Sequence, residues 1–242
     1  MKRIFTTALF VTLSAFFSIS VIGQSESRED LLKRIESKRA ELSILENSFL
    51  APSEDDRATY AEFLKQEDTG LIRLLPREVY DQETKMTIRG GGAFYSFVHL
   101  THAYGYGSDI MLDQGHLAVG FAGADYGILV KMGDIPLEQV ALNHPSSQFM
   151  FSYRPATEEP RARVEYRQFG AGQTIDGTLY KSRLPAEVNT TYLSRSVDYG
   201  TSDVLVAFRV SRKDSDGSLI IAWKLLNKFP KPELARTAQA TN

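Results

Sequence analysis

Residues 204–225 constrain the fold of this chain more than any other stretch. On each side of a turn, apolar residues occupy every second position, as in a β-strand that buries one face. These two apolar stripes are Val204, Val206, Phe208 and Val210, then Leu219, Ile221, Trp223 and Leu225. Between them, residues 213–218 read KDSDGS, and the Asp-Gly pair supplies the left-handed backbone that a tight turn requires. The pattern predicts an antiparallel β-hairpin.

The same period of two recurs from about Lys85 onward, and turn signals separate the runs. Expected strands are 85–89, 93–100, 109–112, 116–121, 126–132, 148–154, 162–167, 173–181 and 188–194. Short strands at regular spacing are typical of antiparallel sandwiches and barrels, not of alternating βα units. The sequence therefore predicts a mainly β fold, an antiparallel sandwich or a barrel-like body, preceded by two N-terminal α-helices and α+β overall.

Two helices are expected before this region. Ser27 and Asp30 provide a capping hydroxyl and an acidic residue three positions later, which is a typical helix start, and this helix is expected to reach about Leu50. The sequence PSEDD from Pro52 repeats the pattern and predicts a second helix that ends at Gly70. The segment GLIRLLP that begins there is expected to be a short apolar connection into the β-rich region.

One face of the first helix carries large apolar residues at spacings of three, four and seven positions. They are Leu31, Ile35, Leu42, Leu45 and Phe49. These positions fit a heptad seam that also contains Lys38, so one interpretation is a short coiled coil through which the protein associates with itself. The other interpretation is an amphipathic helix that packs on its own domain, and the interrupted seam favours it.

The first 23 residues have the pattern of a secretory signal peptide. Lys2 and Arg3 precede a mostly apolar, uncharged run that ends at Ile22, and Val21 and Gly23 occupy the −3 and −1 positions of a cleavage site. An uncleaved membrane anchor is the alternative, although the run is rich in Ser and Thr and lacks a flanking stop signal. We therefore expect an exported protein, periplasmic or extracellular. The expected organisation is a leader at 1–23, a helical segment at 24–69, a β-rich domain at 70–230 and a disordered tail at 231–242.

The amino-acid composition excludes several classes of binding partner and of reaction chemistry. The chain has no cysteine, which excludes disulfides, thiolate metal ligands and a cysteine nucleophile. Without Lys2 and Arg3 the 28 basic residues fall to 26, against 30 acidic residues, which leaves a net charge of about −4. This balance argues against nucleic acid and anionic membranes as electrostatic partners. No segment after the leader is apolar over the length that a transmembrane helix needs.

The glycine-, aromatic- and histidine-rich residues 90–109 could contain a phosphate loop or a metal site. The run of three glycines from Gly90 lacks the helix and the lysine that phosphate loops use, so a glycine-rich turn or bulge is expected. His99 and His102 would point to opposite faces of a strand, which makes them a poor metal pair. We therefore expect no metal and no cofactor, and no motif nominates a catalytic residue.

The clearest candidate for a ligand surface lies in the same stretch. Tyr104 and Tyr106 would share a face of an extended segment and could stack on a sugar or a peptide. Asp109 could orient hydroxyl groups beside them, with Tyr95 and His99 nearby. These five residues are the predicted ligand-binding site. The competing interpretation, which we favour, is that the tyrosines cover neighbouring glycines and pack in the core.

These observations favour an exported, non-catalytic β-rich domain that binds a ligand or interacts with the cell envelope. The alternative is an exported hydrolase whose acid or histidine dyad is assembled only in three dimensions. The two functions require different sites. An enzyme needs a deep pocket where titratable groups converge, whereas a binding module needs a shallow aromatic face or a flat apolar patch.

Overall fold

The computed structural model describes residues 27–81, 85–105, 107–121 and 123–235, and the chain divides into two compact units after Ala40. The helices are α1 (Arg28–Leu50), α2 (Glu54–Thr59), α3 (Arg77–Tyr80), α4 (Pro145–Ser152) and α5 (Glu159–Ala171). The strands are β1 (Thr69–Leu74), β2 (Phe94–Tyr95), β3 (Ile110–Asp113), β4 (His116–Ala118), β5 (Tyr126–Gly133), β6 (Gln173–Ile175), β7 (Thr178–Tyr180), β8 (Arg183–Pro185), β9 (Thr190–Asp198), β10 (Ser202–Lys213) and β11 (Leu219–Lys228).

Helix α1 begins where the sequence predicts. The Asp30 N–H donates to Ser27 Oγ at 3.1 Å, and the Ser27 hydroxyl donates to Asp30 Oδ2 at 2.6 Å. In residues 28–40 every side chain is exposed. In the second unit, residues 41–50 bury Glu46 and Leu50, whereas Leu45 is 66% exposed. The predicted apolar stripe is therefore exposed, although Phe49, at its end, also contacts the Tyr80 ring, with 5.6 Å between the ring centroids.

Helix α2 has the predicted capping box but is shorter than predicted. The Asp56 N–H donates to Ser53 Oγ and the Ser53 N–H donates to Asp56 Oδ2, both at 3.1 Å. The helix ends at Thr59, and the prediction that Gly70 ends it is wrong, because Gly70 lies inside strand β1. The Trp223 ring lies 2.5 Å from where a Cβ of Gly70 would be, so this strand position requires glycine. The predicted apolar connection is an edge strand.

The larger sheet has the strand order β1-β11-β10-β9-β5, and each neighbouring pair is antiparallel. The predicted hairpin is confirmed as the pairing of β10 with β11. Its turn is closed by the Asp214 N–H, which donates to the Ser218 carbonyl at 2.8 Å. Strand β1 pairs with β11, so the first and last strands of this sheet lie side by side.

The smaller sheet has the order β2-β3-β4-β8, and it packs against one face of the larger sheet. Side chains of both sheets form one buried cluster, which includes Leu74, Tyr95, Ile110, Leu112, Leu117, Tyr192, Phe208, Val210, Ile221 and Trp223. Two antiparallel sheets that share a core form a sandwich. The predicted α+β fold with sandwich-like antiparallel sheets is therefore confirmed.

The opposite face of the larger sheet is covered by helices α4 and α5. A second buried cluster joins Met150 of α4 and Phe169 of α5 to strand residues such as Tyr126, Leu193 and Leu205. Burial of both faces makes β9 and β10 almost continuously buried along their length. Such strands lack a wet face, which is the usual result of cover on both sides.

Residues 148–154 and 162–167 lie largely or wholly in helices, so the predicted strands there are wrong. Pro145 and Pro160 stand in the first turns of α4 and α5, a position where proline favours a helix. Ala162 and Phe169, the buried residues of α5, are seven positions apart, which is two helical turns. The alternation in residues 162–167 was too short to distinguish a period of two from one of 3.6.

Three further predicted strands also differ. Of residues 93–100, only Phe94–Tyr95 form a strand and 97–100 form a turn, so His99 does not lie on a strand. Residues 85–89 form turns and bends, and Gly90, Gly91 and Gly92 continue them as the predicted glycine-rich turn, all three with left-handed backbone. Residues 173–181 form the hairpin β6–β7, joined by Asp176 and Gly177 in left-handed conformation. The Asp-Gly pair in this turn is the same dipeptide that predicted the turn between β10 and β11. Among the described helices, none is long and apolar enough to cross a bilayer.

Candidate functional site

A pocket of about 230 Å³ opens at the end of strand β9. We call it the Asp198 pocket, and the residues that line it include Arg89, Tyr104, Ser108, Phe121, Asp125, Ser196 and Asp198. They come from four places: the turn before β2, the loop that leads to β3, the loop between β4 and β5, and β9 itself. The larger sheet supplies the Ser196 and Asp198 positions, and loops supply most of the rest.

Strand pairing places two acids of the pocket opposite each other. Strands β5 and β9 are antiparallel with Tyr126 opposite Val197. Asp125, one residue before Tyr126, therefore comes opposite Asp198, one residue after Val197. The two carboxyl groups lie close enough to shift each other's pKa. When two carboxyl groups are this close, the cost of a second negative charge favours a state in which one of them holds a proton.

The surroundings keep this proton in place near neutral pH. Burial, followed by the negative charge of Asp125, raises the pKa of Asp198 to about 7, against a backbone N–H bond from Gly107 that lowers it. Burial also raises the pKa of Asp125, whose Oδ1 accepts the Tyr199 N–H at 2.9 Å. Two adjacent carboxylates cannot both ionise at low cost, so the pair titrates as a unit that shares a proton.

Asp109, one of the predicted site residues, is fully buried beside Ser196, with 0% of its surface exposed. Its Oδ2 accepts the N–H of Phe97 at 2.7 Å and the hydroxyl of Ser96 at 3.3 Å. Its Oδ1 has no hydrogen-bond partner in the described part of the chain. Burial raises the pKa of Asp109 to about 6, and the charge of Asp109 raises the pKa of Asp198 in turn. Asp109 is thus a third acid whose charge influences the protonation of the Asp125–Asp198 pair.

Tyr104 forms an aromatic wall of the pocket. Its ring centroid lies 4.4 Å from that of Phe94, and the guanidinium carbon of Arg89 lies 5.2 Å from the Tyr104 centroid. Phe121 contacts Phe94 edge-on at 5.3 Å. A neighbouring cavity of about 400 Å³ shares Arg89, Tyr104 and Phe121 and extends over Phe94 and Met111. The same aromatic and basic groups therefore serve both cavities.

The predicted site residues do not all lie together in the structure. Tyr104 lines the pocket, and Asp109 lies next to it. Tyr95 is 6% exposed and belongs to the core between the two sheets. His99 is exposed in the turn after β2, and Tyr106 falls outside the described residues. Tyr104 and Asp109 are thus the two predicted residues that the fold brings to the acid pair.

The charged residues that line the pocket were not predicted from the sequence: Arg89, Asp125 and Asp198. A signal for the two acids was available, because the tripeptide Asp-Tyr-Gly occurs twice, at 125–127 and at 198–200. The repetition acquires meaning only once β5 and β9 are known to pair in the antiparallel register that brings the first residues of the two tripeptides opposite each other. Arg89 has no local signal of this kind.

The four histidines have separate surroundings. His102 Nε2 donates to the Arg73 carbonyl at 2.9 Å, and burial lowers the pKa of His102 to about 4. His116 Nδ1 donates to the Gln114 carbonyl at 2.9 Å, and His144 caps α4. Within the ranges that the structure describes, no group of three or more His, Asp or Glu side chains is arranged to hold a metal ion.

Another cavity, of about 400 Å³, lies beside Arg195, Asp203 and Phe229. Arg195 and Asp203 are 1% and 2% exposed and form two hydrogen bonds of 2.8 Å with each other. Their charges are therefore satisfied inside the fold. The acids of the Asp198 pocket face each other instead of a cation, and this makes the Asp198 pocket the stronger candidate for a functional site.

No family model, curated protein or solved structure matches this chain. Neither the sandwich nor the pocket can therefore be assigned a role through a relative. A function for this protein must therefore be inferred from the chemistry of the pocket residues.

Proposed function

We propose that this protein is a non-catalytic binding module whose Asp198 pocket takes a small molecule with a cationic amine. The main support is the proton-sharing pair of Asp125 and Asp198 in an open pocket. An ammonium group carries one positive charge and three N–H donors, so it can replace the shared proton and bind both carboxylates. The ring of Tyr104 adds an aromatic face for the ligand's carbon atoms or for the cation itself.

We expect 3-methylbutylamine to bind more tightly as the pH rises from about 5.5 to about 8. Because burial raises the pKa of Asp198 to about 7, the acid pair loses its shared proton in this interval, while an alkylamine keeps its charge. The amine then meets more negative charge, and its dissociation constant should fall about tenfold. Calorimetric or NMR titration of the purified protein measures this change.

Asp198→Asn should weaken amine binding about tenfold and reduce its pH dependence, with Asp125 and Asp109 left to titrate. Asp176→Asn is the matched control, because Asp176 is exposed in the β6–β7 turn and does not line the pocket. An amine affinity that responds neither to pH nor to Asp198→Asn would contradict the proposed binding mode.

Hydrolysis is the second candidate function, and the same acid pair favours it. A carboxylate beside a protonated carboxyl group can activate water while its partner donates a proton to the leaving group. An activated amide is the simplest substrate with which to test this step. Cleavage of leucine p-nitroanilide that both Asp125→Asn and Asp198→Asn abolish would favour hydrolysis over binding alone.

We propose further that the protein is exported and that residues 1–23 are removed as a signal peptide, which places the mature protein in the periplasm or outside the cell. The basic start, the apolar run and the polar QSESRED that follows support this proposal. Residues 1–26 lie outside the described part of the chain. Interaction with the cell envelope remains part of the proposal on the same basis.

Helix α1 is the element that we propose for self-association, through the apolar stripe of Leu31, Ile35, Leu42, Leu45 and Phe49, all of them exposed. Native mass spectrometry of protein produced with its leader should show a dimer of chains that lack residues 1–23. Leu45→Glu should convert the dimer to a monomer. Ile44→Glu is the matched control, because Ile44 is 67% exposed against 66% for Leu45 but lies outside the heptad positions. A monomeric wild type would contradict the proposal.

A further inference from the structure

We infer that the ligand of the Asp198 pocket is a zwitterion of amino-acid size, whose ammonium group is bound by Asp125 and Asp198 and whose carboxylate is bound by Arg89. The inference rests on the proposed binding function and specifies the ligand of that site. It follows from the charge, position and surroundings of Arg89, and from the size of the two cavities that Arg89 lines.

Arg89 carries a positive charge without a counter-charge. No carboxylate in the described ranges lies within 4.0 Å of its guanidinium, whereas Arg77, the other arginine of the neighbouring cavity, is paired with Asp81 at 3.0 Å. A guanidinium without an acidic partner, at the wall of a pocket, can bind an anion. A carboxylate suits it best, because the two planar groups can form parallel hydrogen bonds.

The backbone and side chain of Arg89 are held in position before any ligand binds. The Arg89 carbonyl accepts the Tyr104 N–H at 2.7 Å, and the guanidinium lies over the Tyr104 ring. Gly90 has left-handed backbone, and a Cβ there would lie 2.5 Å from the Phe94 ring and 2.9 Å from Tyr104 Cβ. Glycine thus permits the close approach of the Arg89 segment to Tyr104. Preorganisation of this kind reduces the entropy that binding must overcome.

The two walls of the pocket carry opposite charges that do not meet. Arg89 lines the same cavity as Asp125 and Asp198, yet in the described structure it forms no ion pair with either. A ligand with only an ammonium group would bind the acids and leave Arg89 without an anion. A ligand with only a carboxylate would lie beside the acids, which is unfavourable for like charges. A zwitterion can neutralise the opposite charges on both walls of the pocket.

The volumes set the size of the ligand. The Asp198 pocket has about 230 Å³, which is below the range of about 300–1,000 Å³ that accommodates drug-sized molecules. The neighbouring cavity of about 400 Å³ is lined by Phe94, Met111 and Phe121 and also by Arg77 and Asp81, and it has room for the side chain of the ligand. A free amino acid therefore combines the charges and the size.

Three matched probes test the inference on the full protein: leucine, 3-methylbutylamine, which is leucine without its carboxylate, and 4-methylpentanoate, which is leucine without its ammonium group. Leucine should bind at least about tenfold more tightly than either analogue, because a bidentate pair with a guanidinium contributes that much. Arg89→Ala should remove the advantage of leucine over 3-methylbutylamine. Arg77→Ala should keep that advantage, because the Arg77 guanidinium is already paired with Asp81.

The outcomes separate the inference from the proposed function. Equal binding of leucine and 3-methylbutylamine would overturn the role of Arg89 while the amine-binding function stands. An unchanged preference for leucine in Arg89→Ala, or an equal loss in Arg77→Ala, would also overturn it. If neither leucine nor the amine binds the wild-type protein, the proposed function itself fails. Arg89 is exposed, so thermal unfolding of Arg89→Ala should match the wild type.

Discussion

Asp203→Ala is expected to lower the free energy of unfolding by about 3–5 kcal/mol, because it leaves Arg195 buried without a counter-charge. Arg195 is 1% exposed, and its Nε and Nη2 donate to the two oxygens of Asp203, each at 2.8 Å. Its Nη1 donates to the carbonyls of Met150 and Tyr153, and the Phe229 ring centroid lies 3.7 Å from the guanidinium carbon. The side chain is therefore almost fully withdrawn from water, and urea unfolding measures the loss.

An exposed ion pair in the same sheet provides the control. Arg209 and Asp134 approach to 2.6 Å, but Asp134 is 77% exposed, so Asp134→Ala should cost less than about 1 kcal/mol. The double variant Arg195→Met with Asp203→Leu should recover part of the loss, because it removes both buried charges. Equal effects of Asp203→Ala and Asp134→Ala would show that burial does not determine the contribution of the pair.

Gly91→Ala should destabilise the protein by about 3 kcal/mol, because it combines backbone strain with a collision. Gly91 has φ of +63°, and a Cβ there would lie 2.5 Å from the Tyr80 carbonyl carbon and from the Asp81 nitrogen. These are backbone atoms at the end of α3, so they cannot rotate away as the tip of a side chain can. Thermal or urea unfolding reports the change.

Gly115→Ala separates the two causes. Gly115 has a similar φ of +71°, but a Cβ there would meet nothing within 4 Å. It should therefore cost only the left-handed strain of about 1–2 kcal/mol. If both variants lose the same stability, the contact of Gly91 with the end of α3 contributes nothing, and glycine is needed there for its backbone conformation alone.

The features that were predictable from sequence are those with local determinants. The turn at residues 213–218 carries its own Asp-Gly pair between two alternating stripes, and the helix caps at Ser27 and Ser53 lie within four residues. The strand predicted at residues 162–167 is wrong because the alternation there occupies less than two helical turns. Over so short a stretch, the surface on which the segment packs determines whether it forms a strand or a helix. Packing on the larger sheet selected the helix.

The pocket was predictable only in part, for the same physical reason. Tyr104 and Asp109 lie in a glycine-rich stretch whose composition attracts attention. Asp125 and Asp198 lie far apart in the chain and are joined by the register of β5 with β9, which depends on every side chain that the sheet buries. A shift of one residue in that register would place Asp198 opposite a different residue, so the pair is a property of the whole sheet.

The pairing of β1 with β11 has a consequence for how the chain reaches its native state. Strand β1 (Thr69–Leu74) has no hydrogen-bonding neighbour in the sheet until β11 (Leu219–Lys228), which lies far later in the sequence, has been synthesised. A ribosome that has released only the first half of the chain has therefore produced an incomplete sheet with an unpaired strand. Contacts of such long sequence separation slow folding and extend the life of aggregation-prone intermediates. We expect folding intermediates that lack β11 to expose the unpaired edge of β1.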